Sequence, residues 1–276
     1  MSNRLSRLQT NLHQYGIWPP RALSTAATGP YHTILANSIP KAGTNLLIRT
    51  LCLIGQYHRK IHRTFVERTE SDLRSDLRKP NKNKILVGHM PFNAQLAEDL
   101  KRERVANILM VRDPRDIALS NVHYIARIDK SHRLHQYFSK NLSSFEERLS
   151  ASINGISSKE LGNAMPPSYD IGWHIRRYLA WAEDKDCLVV RFEDLIGERG
   201  GGCRRRQQET LHHILRHLDL ESAKLDTELI ANRIFHTGSR TFNVGTIGQW
   251  KAAFQPQHTE AIERVAGDCI SRLGYR

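Results

Sequence analysis

Four short runs of the chain are almost continuously apolar and rich in β-branched residues: HTILANSI at 32–39, KILVGHM at 84–90, ANILMVRD at 106–113 and CLVVRFED at 187–194. Because they do not alternate with polar residues, they predict strands buried on both faces, as in a parallel sheet covered by helices. Apolar residues at helical spacing separate them: Leu47, Leu51 and Ile54 after the first run, and Ile171, Ile175, Tyr178, Leu179 and Ala182 before the fourth. Leu211, Leu215 and Leu218 mark another helix, and a stripe from Ile262 to Leu273 marks the last. Strands alternating with helices predict an α/β protein with three α/β/α layers around a central, mostly parallel sheet.

The length of 276 residues suits one large domain spanning 1–276. Residues 1–30 read as an irregular N-terminal arm, and the polar segment 126–170 as an insertion or lid. GERGGGCRRR at 197–206 reads as a mobile loop. A net charge of +13 predicts an anionic partner. No basic stripe with interleaved aromatics is present, so nucleic acid is not the expected partner. A basic surface leaves peripheral contact with a membrane open, and oligomeric state is undetermined. The four cysteines form no CxxC pair, so no zinc or other metal site and no disulfide framework are expected. The N-terminus lacks the apolar core of a signal peptide, and no apolar run approaches the roughly 18 residues of a bilayer span. The expected location is cytoplasmic.

The turn after the first run reads SIPKAGTN, at 38–45. A strand, a tight turn and a helix start aim several backbone N–H groups at one point, where the helix dipole favours negative charge. Gly43 permits close approach, Lys41 adds an ammonium, and Thr44 and Asn45 add side-chain donors. The turn is built for a phosphate-like group. It is not a Walker A loop, which needs lysine directly after its second glycine. The third run repeats the plan in VRDPRDIALS: Arg112 at the end of a strand, Pro114 in the first turn of a helix, and Ser120 further along it. Asp113, Arg115 and Asp116 read as partners in a surface or helix-end network.

Together, PKAGTNLL (40–47) and RDPRDIALS (112–120), followed by VRFEDL (190–195) and GTIGQWK (245–251), resemble the signatures of sulfotransferases that use 3'-phosphoadenosine 5'-phosphosulfate (PAPS). The resemblance implies a P-loop-like nucleotide-binding core. It implies that Lys41, Ala42, Gly43, Thr44 and Asn45 hold the 5'-phosphosulfate, and that Arg112 and Ser120 hold the 3'-phosphate. Gly245 and its neighbours would close over the nucleotide, and Phe192 would contribute from the VRFEDL strand. The product would be PAP, with no metal required. The family often places Arg-Lys before the last motif, where this chain has Asn243 and Val244, so Arg240 is the candidate replacement.

Sulfuryl transfer to a hydroxyl needs a base for the acceptor proton and a cation where charge builds on the leaving oxygen. His89, at the end of KILVGHM, is the expected base. A histidine in a similar stretch serves so in the cytosolic members of the family, and Lys41 fits the second role. Asp170 and Glu183 are alternative bases. His212, His213 and His217 read as surface or packing residues. Pro91, Phe92, Tyr124, His132 and His135 are candidate acceptor contacts, and the polar 126–170 segment favours a saccharide, a glycolipid or another polar alcohol. The competing reading is a P-loop-type nucleotide-dependent kinase.

Overall fold

The computed structural model describes residues 33–57, 65–77, 84–163, 165–236 and 245–276. The predicted arm at 1–30, Arg240, Asn243 and Val244 lie outside the described residues. The fold is α/β, built on a sheet of five parallel strands. These are β1 (Ile34–Ser38), β2 (Phe65–Glu67), β3 (Ile85–Gly88), β4 (Ala106–Val111) and β5 (Cys187–Arg191), in the order β2-β3-β1-β4-β5. Every residue of β1 and β3 is buried, as their unbroken apolar runs require. The edge strand β2 was not expected; at three residues it is too short to carry a periodic signal.

The observed strands are shorter than the apolar runs. The fourth run stops being a strand at Arg191, and Phe192–Leu195 is a helical turn, favoured by Glu193 and Asp194 in its first turn. Likewise β4 ends at Val111, one residue before Arg112. The 197–206 segment is not the loop expected. A short 3₁₀ turn at Glu198–Gly200 leads into helix Arg204–His217, so the three arginines form its first turn. Each is paired with an acid: Arg204 with Glu228, Arg205 with Glu209, and Arg206 with Asp194.

The chain divides into two compact units. The first, residues 1–111 and 181–246, holds the whole sheet. Its helices are α1 (Thr44–Tyr57), α2 (Glu70–Leu77), α3 (Ala94–Arg102), then α7 (Phe192–Leu195), α8 (Arg204–His217) and α9 (Thr227–Ile234). Helix α1 packs on β1 and β3, α3 on β4, and α8 on β5. Since all strands are parallel, the carboxyl ends of β3, β1 and β4 share one edge. That is where an open α/β sheet binds ligands.

The second unit, residues 112–180 and 247–276, contains α4 (Pro114–His123), α5 (Phe145–Asn154), α10 (Trp250–Ala253) and α11 (Pro256–Arg272). Helix α6 (Ile171–Glu183) begins in it. Helix α4 packs on α5, α10 and α11. Asp113 caps α4, its carboxylate accepting from the Arg115 N–H at 2.9 Å, and Pro114 occupies the first turn, where no intrahelical N–H is needed. The polar segment is partly helical. It contains α5, with a Ser144–Glu147 capping box, and two π-helical turns at Tyr124–Ile128 and Tyr137–Asn141.

Candidate active site

The turn between β1 and α1 is drawn tight by backbone bonds from Ala42 N–H to the Ile39 carbonyl (3.0 Å) and from Leu46 N–H to the Gly43 carbonyl (2.9 Å). Gly43 has φ 111°, in the region that favours glycine, and a side chain there would meet the buried Phe192 ring at 2.6 Å. Lys41 also has positive φ, 67°, a conformation costing about 1 kcal/mol for a residue with a Cβ. The strained backbone presents the first amides of α1, which no helix can satisfy internally. The polar side chains at positions 41–45 of the turn can all donate: Lys41, Thr44 and Asn45. No carboxylate belongs to it, so the donor set fits a phosphate or sulfate group.

Next to this turn, β1 fixes the end of β3. Asn37 is fully buried, and its carboxamide pairs with the backbone of Met90 in both directions: Nδ2 donates to the carbonyl at 3.0 Å, and Oδ1 accepts the N–H at 2.8 Å. Trp181 Nε1 donates to the same carbonyl at 2.9 Å. The backbone that follows His89 is therefore pinned. Its imidazole Nδ1 lies 2.8 Å from the Ser38 carbonyl and 3.1 Å from Ser38 Oγ. A carbonyl only accepts, so Nδ1 carries the proton in the neutral ring, and Nε2 keeps its lone pair. Ser38 Oγ is also 2.6 Å from Thr44 Oγ1. Either hydroxyl can be the donor in that pair. His89 has an exposed side, but desolvation of the ring pushes its pKa below the ordinary value. The Ser38 bond opposes this, and the nearby Lys41 ammonium adds to it.

In the second unit, Arg112 is buried and follows β4 directly. Its Nη2 lies 3.5 Å from Asp116 Oδ2. Asp116 also accepts from Gly248 N–H at 2.8 Å and Trp250 N–H at 3.1 Å. Arg115 is closed off differently. It grips Asp113 through Nε (2.9 Å) and Nη2 (2.8 Å), donates to the Arg276 carbonyl at 2.8 Å, and lies over the Trp250 ring at 4.0 Å. The expected network exists, but it is buried rather than on the surface, and it ties the start of α4 to the GxxGxW segment. Trp250 packs within it. Ser120 is half-buried on α4.

A family model described as "Sulfotransferase domain" matches residues 32–274. The chain belongs to the sulfotransferase family. It is 23% identical to Sulfotransferase 2A1 of Rattus norvegicus over 82% of this chain and 80% of that one. It is 22% identical to 3-beta-hydroxysteroid sulfotransferase of Cavia porcellus over 82% and 79%. A crystal structure of mouse sulfotransferase SULT7A1 complexed with PAP matches the fold with a TM-score of 0.56 at 16% identity, covering 87% of this chain and 84% of that one. Retinol dehydratase in complex with androsterone and inactive cofactor PAP gives 0.55 at 14% identity, covering 90% and 83%. The family match sets the kinase reading aside. No helix among the described residues is long and apolar enough to cross a membrane.

The sulfotransferase brings several other expected residues into identifiable places. Phe192 is the buried support under Gly43, and the Gly245 carbonyl lies against Gly200 in the 198–200 turn. Pro91 is half-buried, and Phe92 meets Trp181 edge-on at 4.9 Å. Tyr124 and His132 are edge-on neighbours at 6.3 Å. His132 Nδ1 accepts the Leu134 N–H at 3.2 Å. His135 Nδ1 donates to the Ile125 carbonyl at 2.8 Å, bonding a carbonyl of the first π-helical turn. Asp170 is engaged as the cap of α6, accepting from Trp173 N–H at 2.8 Å, and Glu183 ends the same helix. His212 and His213 are exposed, whereas His217 is half-buried. Asn37, Ser38 and Trp181 were not expected as site residues. Two adjacent polar residues closing an otherwise apolar strand were the available signal.

Proposed function

We propose that this sulfotransferase moves a sulfuryl group from PAPS to the hydroxyl of a small-molecule acceptor, with His89 as general base. The observation that carries the reading is the imidazole held by its Nδ1 on the Ser38 carbonyl, beside a turn that carries several donors and no carboxylate. PAPS, when bound, supplies an activated sulfuryl group and a phosphate leaving group. Lys41, Thr44, Asn45 and the backbone at Ala42 and Gly43 hold its phosphosulfate, and Arg112 and Ser120 hold its 3'-phosphate. The PAP named in the related structures supports this assignment.

The chemistry asked of the chain is then specific. His89 Nε2 accepts the hydroxyl proton as the acceptor oxygen attacks, and the Ser38 carbonyl stabilises the resulting imidazolium through Nδ1–H. A lowered pKa keeps the ring neutral, and so ready to accept, near pH 7. The Lys41 ammonium stabilises charge building on the leaving phosphate oxygen. No part of this role requires a metal from the residues named.

The polar surroundings of Tyr124 and His132 favour a polar alcohol such as a saccharide or glycolipid as acceptor. A steroid alcohol is the second reading. It is favoured by the relative named for 3-beta-hydroxysteroids and by the apolar pair Phe92–Trp181, whose phenylalanine follows His89 closely in sequence. The proposal treats 1–276 as a single catalytic domain, with 126–170 on the acceptor side. PAPS-dependent turnover across a panel of sugars, lipids, sterols and phenols tests the function. Transfer to at least one hydroxyl that collapses in His89→Ala is expected. Absence of transfer to every acceptor, or full activity in that variant, contradicts the reading.

A further inference from the structure

We propose that Asp116 is a positioning residue that orients Arg112 and the 248–250 turn together, and thereby sets selectivity for a nucleotide carrying a 3'-phosphate. The inference rests on the assignment of Arg112 to that phosphate and deepens it.

Asp116 is 2% exposed, in the first turn of α4. A carboxylate so buried needs strong partners, and it has three: Gly248 N–H, Trp250 N–H and the Arg112 guanidinium. The two amides are within ordinary hydrogen-bond length at 2.8 and 3.1 Å. The guanidinium contact, at 3.5 Å, is looser. The carboxylate is therefore anchored by the backbone of the turn and lies against the arginine. A guanidinium offers five N–H donors, more than one oxygen at that distance can engage.

The neighbouring charges do not compete for this role. Asp113 and Arg115 pair with each other in two-pronged fashion, and Arg115 completes its contacts on the Arg276 carbonyl and the Trp250 ring. Trp250 is thus held at its backbone by Asp116 and at its ring by Arg115. Gly248, at φ 69°, takes the left-handed conformation that lets two amides of one short turn reach one carboxylate. The same carboxylate anchors the turn and orients the arginine, so a displacement of either is felt by the other.

The test compares PAP with AMP, which lacks only the 3'-phosphate, by isothermal titration calorimetry on the wild-type chain and on Asp116→Asn. The wild type is expected to prefer PAP. In Asp116→Asn the preference should fall about tenfold or more through weaker PAP binding, with AMP affinity unchanged. Equal weakening of both ligands, or an intact preference, overturns the proposal, because a merely structural aspartate would not distinguish them. Should the variant fail to fold, amide hydrogen exchange on the wild type decides. Gly248 and Trp250 should be protected more by PAP than by AMP, and equal protection overturns the proposal. A wild type with no preference for PAP sinks the 3'-phosphate assignment and this inference together. A preference abolished by Arg112→Ala but kept in Asp116→Asn sinks the inference alone.

Discussion

The turn at 38–45 and the segment at 112–120 both follow parallel strands of one sheet and both open a helix, yet they are held in opposite ways. The first is built from backbone geometry and neutral hydrogen bonds. Gly43 and Lys41 take left-handed φ, Asn37 mimics a backbone partner for Met90, and Ser38 bridges His89 and Thr44. The second is built from buried charge: Asp113 with Arg115, and Asp116 with Arg112 and two amides. The difference suits the work proposed for each. A group that must give up and take protons is held by hydrogen-bond partners that fix its orientation and its tautomer. A group that only grips a permanent anion can sit among other charges.

The comparison can be broken most easily at His89. His89→Ala should reduce turnover by about 10²- to 10⁴-fold, the range for loss of a general base, with little change in PAP affinity. A similar loss of PAP binding would mean that the ring belongs to the nucleotide site instead. Arg115→Ala strikes the charged region. It leaves Asp113 buried without its cation and should cost about 3–5 kcal/mol of stability, read by thermal or denaturant unfolding. The His89 titration should be unaffected, and a coupled shift would blur the distinction between the regions.

Gly43→Ala addresses the geometric region through packing. Strained φ and collision with the Phe192 ring should cost about 1–3 kcal/mol, part of which Phe192→Leu restores in the double variant. If the double variant recovers nothing, the ring is not what excludes a side chain there. The smallest expected effect is electrostatic. Desolvation and the Lys41 ammonium together keep the His89 pKa below 6.5. Protonation should therefore switch activity off only as the pH falls below that value. Lys41→Met should move the His89 titration, followed by NMR, to higher pH. Movement to lower pH would contradict the contact.

The sheet was legible because a strand buried on both faces cannot hide its apolar run, and Ile34–Ser38 and Ala106–Val111 reproduce theirs closely. β2 was not legible, since three residues carry no period. The donors of the anion-binding turn were readable because they crowd into positions 41–45. Their supports were not. Asn37 acts on Met90, 53 residues away, and Trp181 reaches the same carbonyl across 91, so no local pattern announces either. GERGGGCRRR misled because its glycines suggest a loop, whereas the arginines find acids on neighbouring segments and join α8. Asp116 was readable as a helix-end charge. Its reach to Gly248 and Trp250 is a tertiary fact.

The central proposal is that the 38–45 turn serves the 5' end of the nucleotide and Arg112 its 3'-phosphate. Calorimetric titration of PAP into the wild type, Lys41→Met and Arg112→Ala tests it most directly. Each substitution should weaken PAP by roughly tenfold to a hundredfold, the worth of a charge-assisted hydrogen bond, and only Lys41→Met should also weaken AMP. PAP affinity untouched by Arg112→Ala, or AMP binding that depends on Arg112, would contradict it.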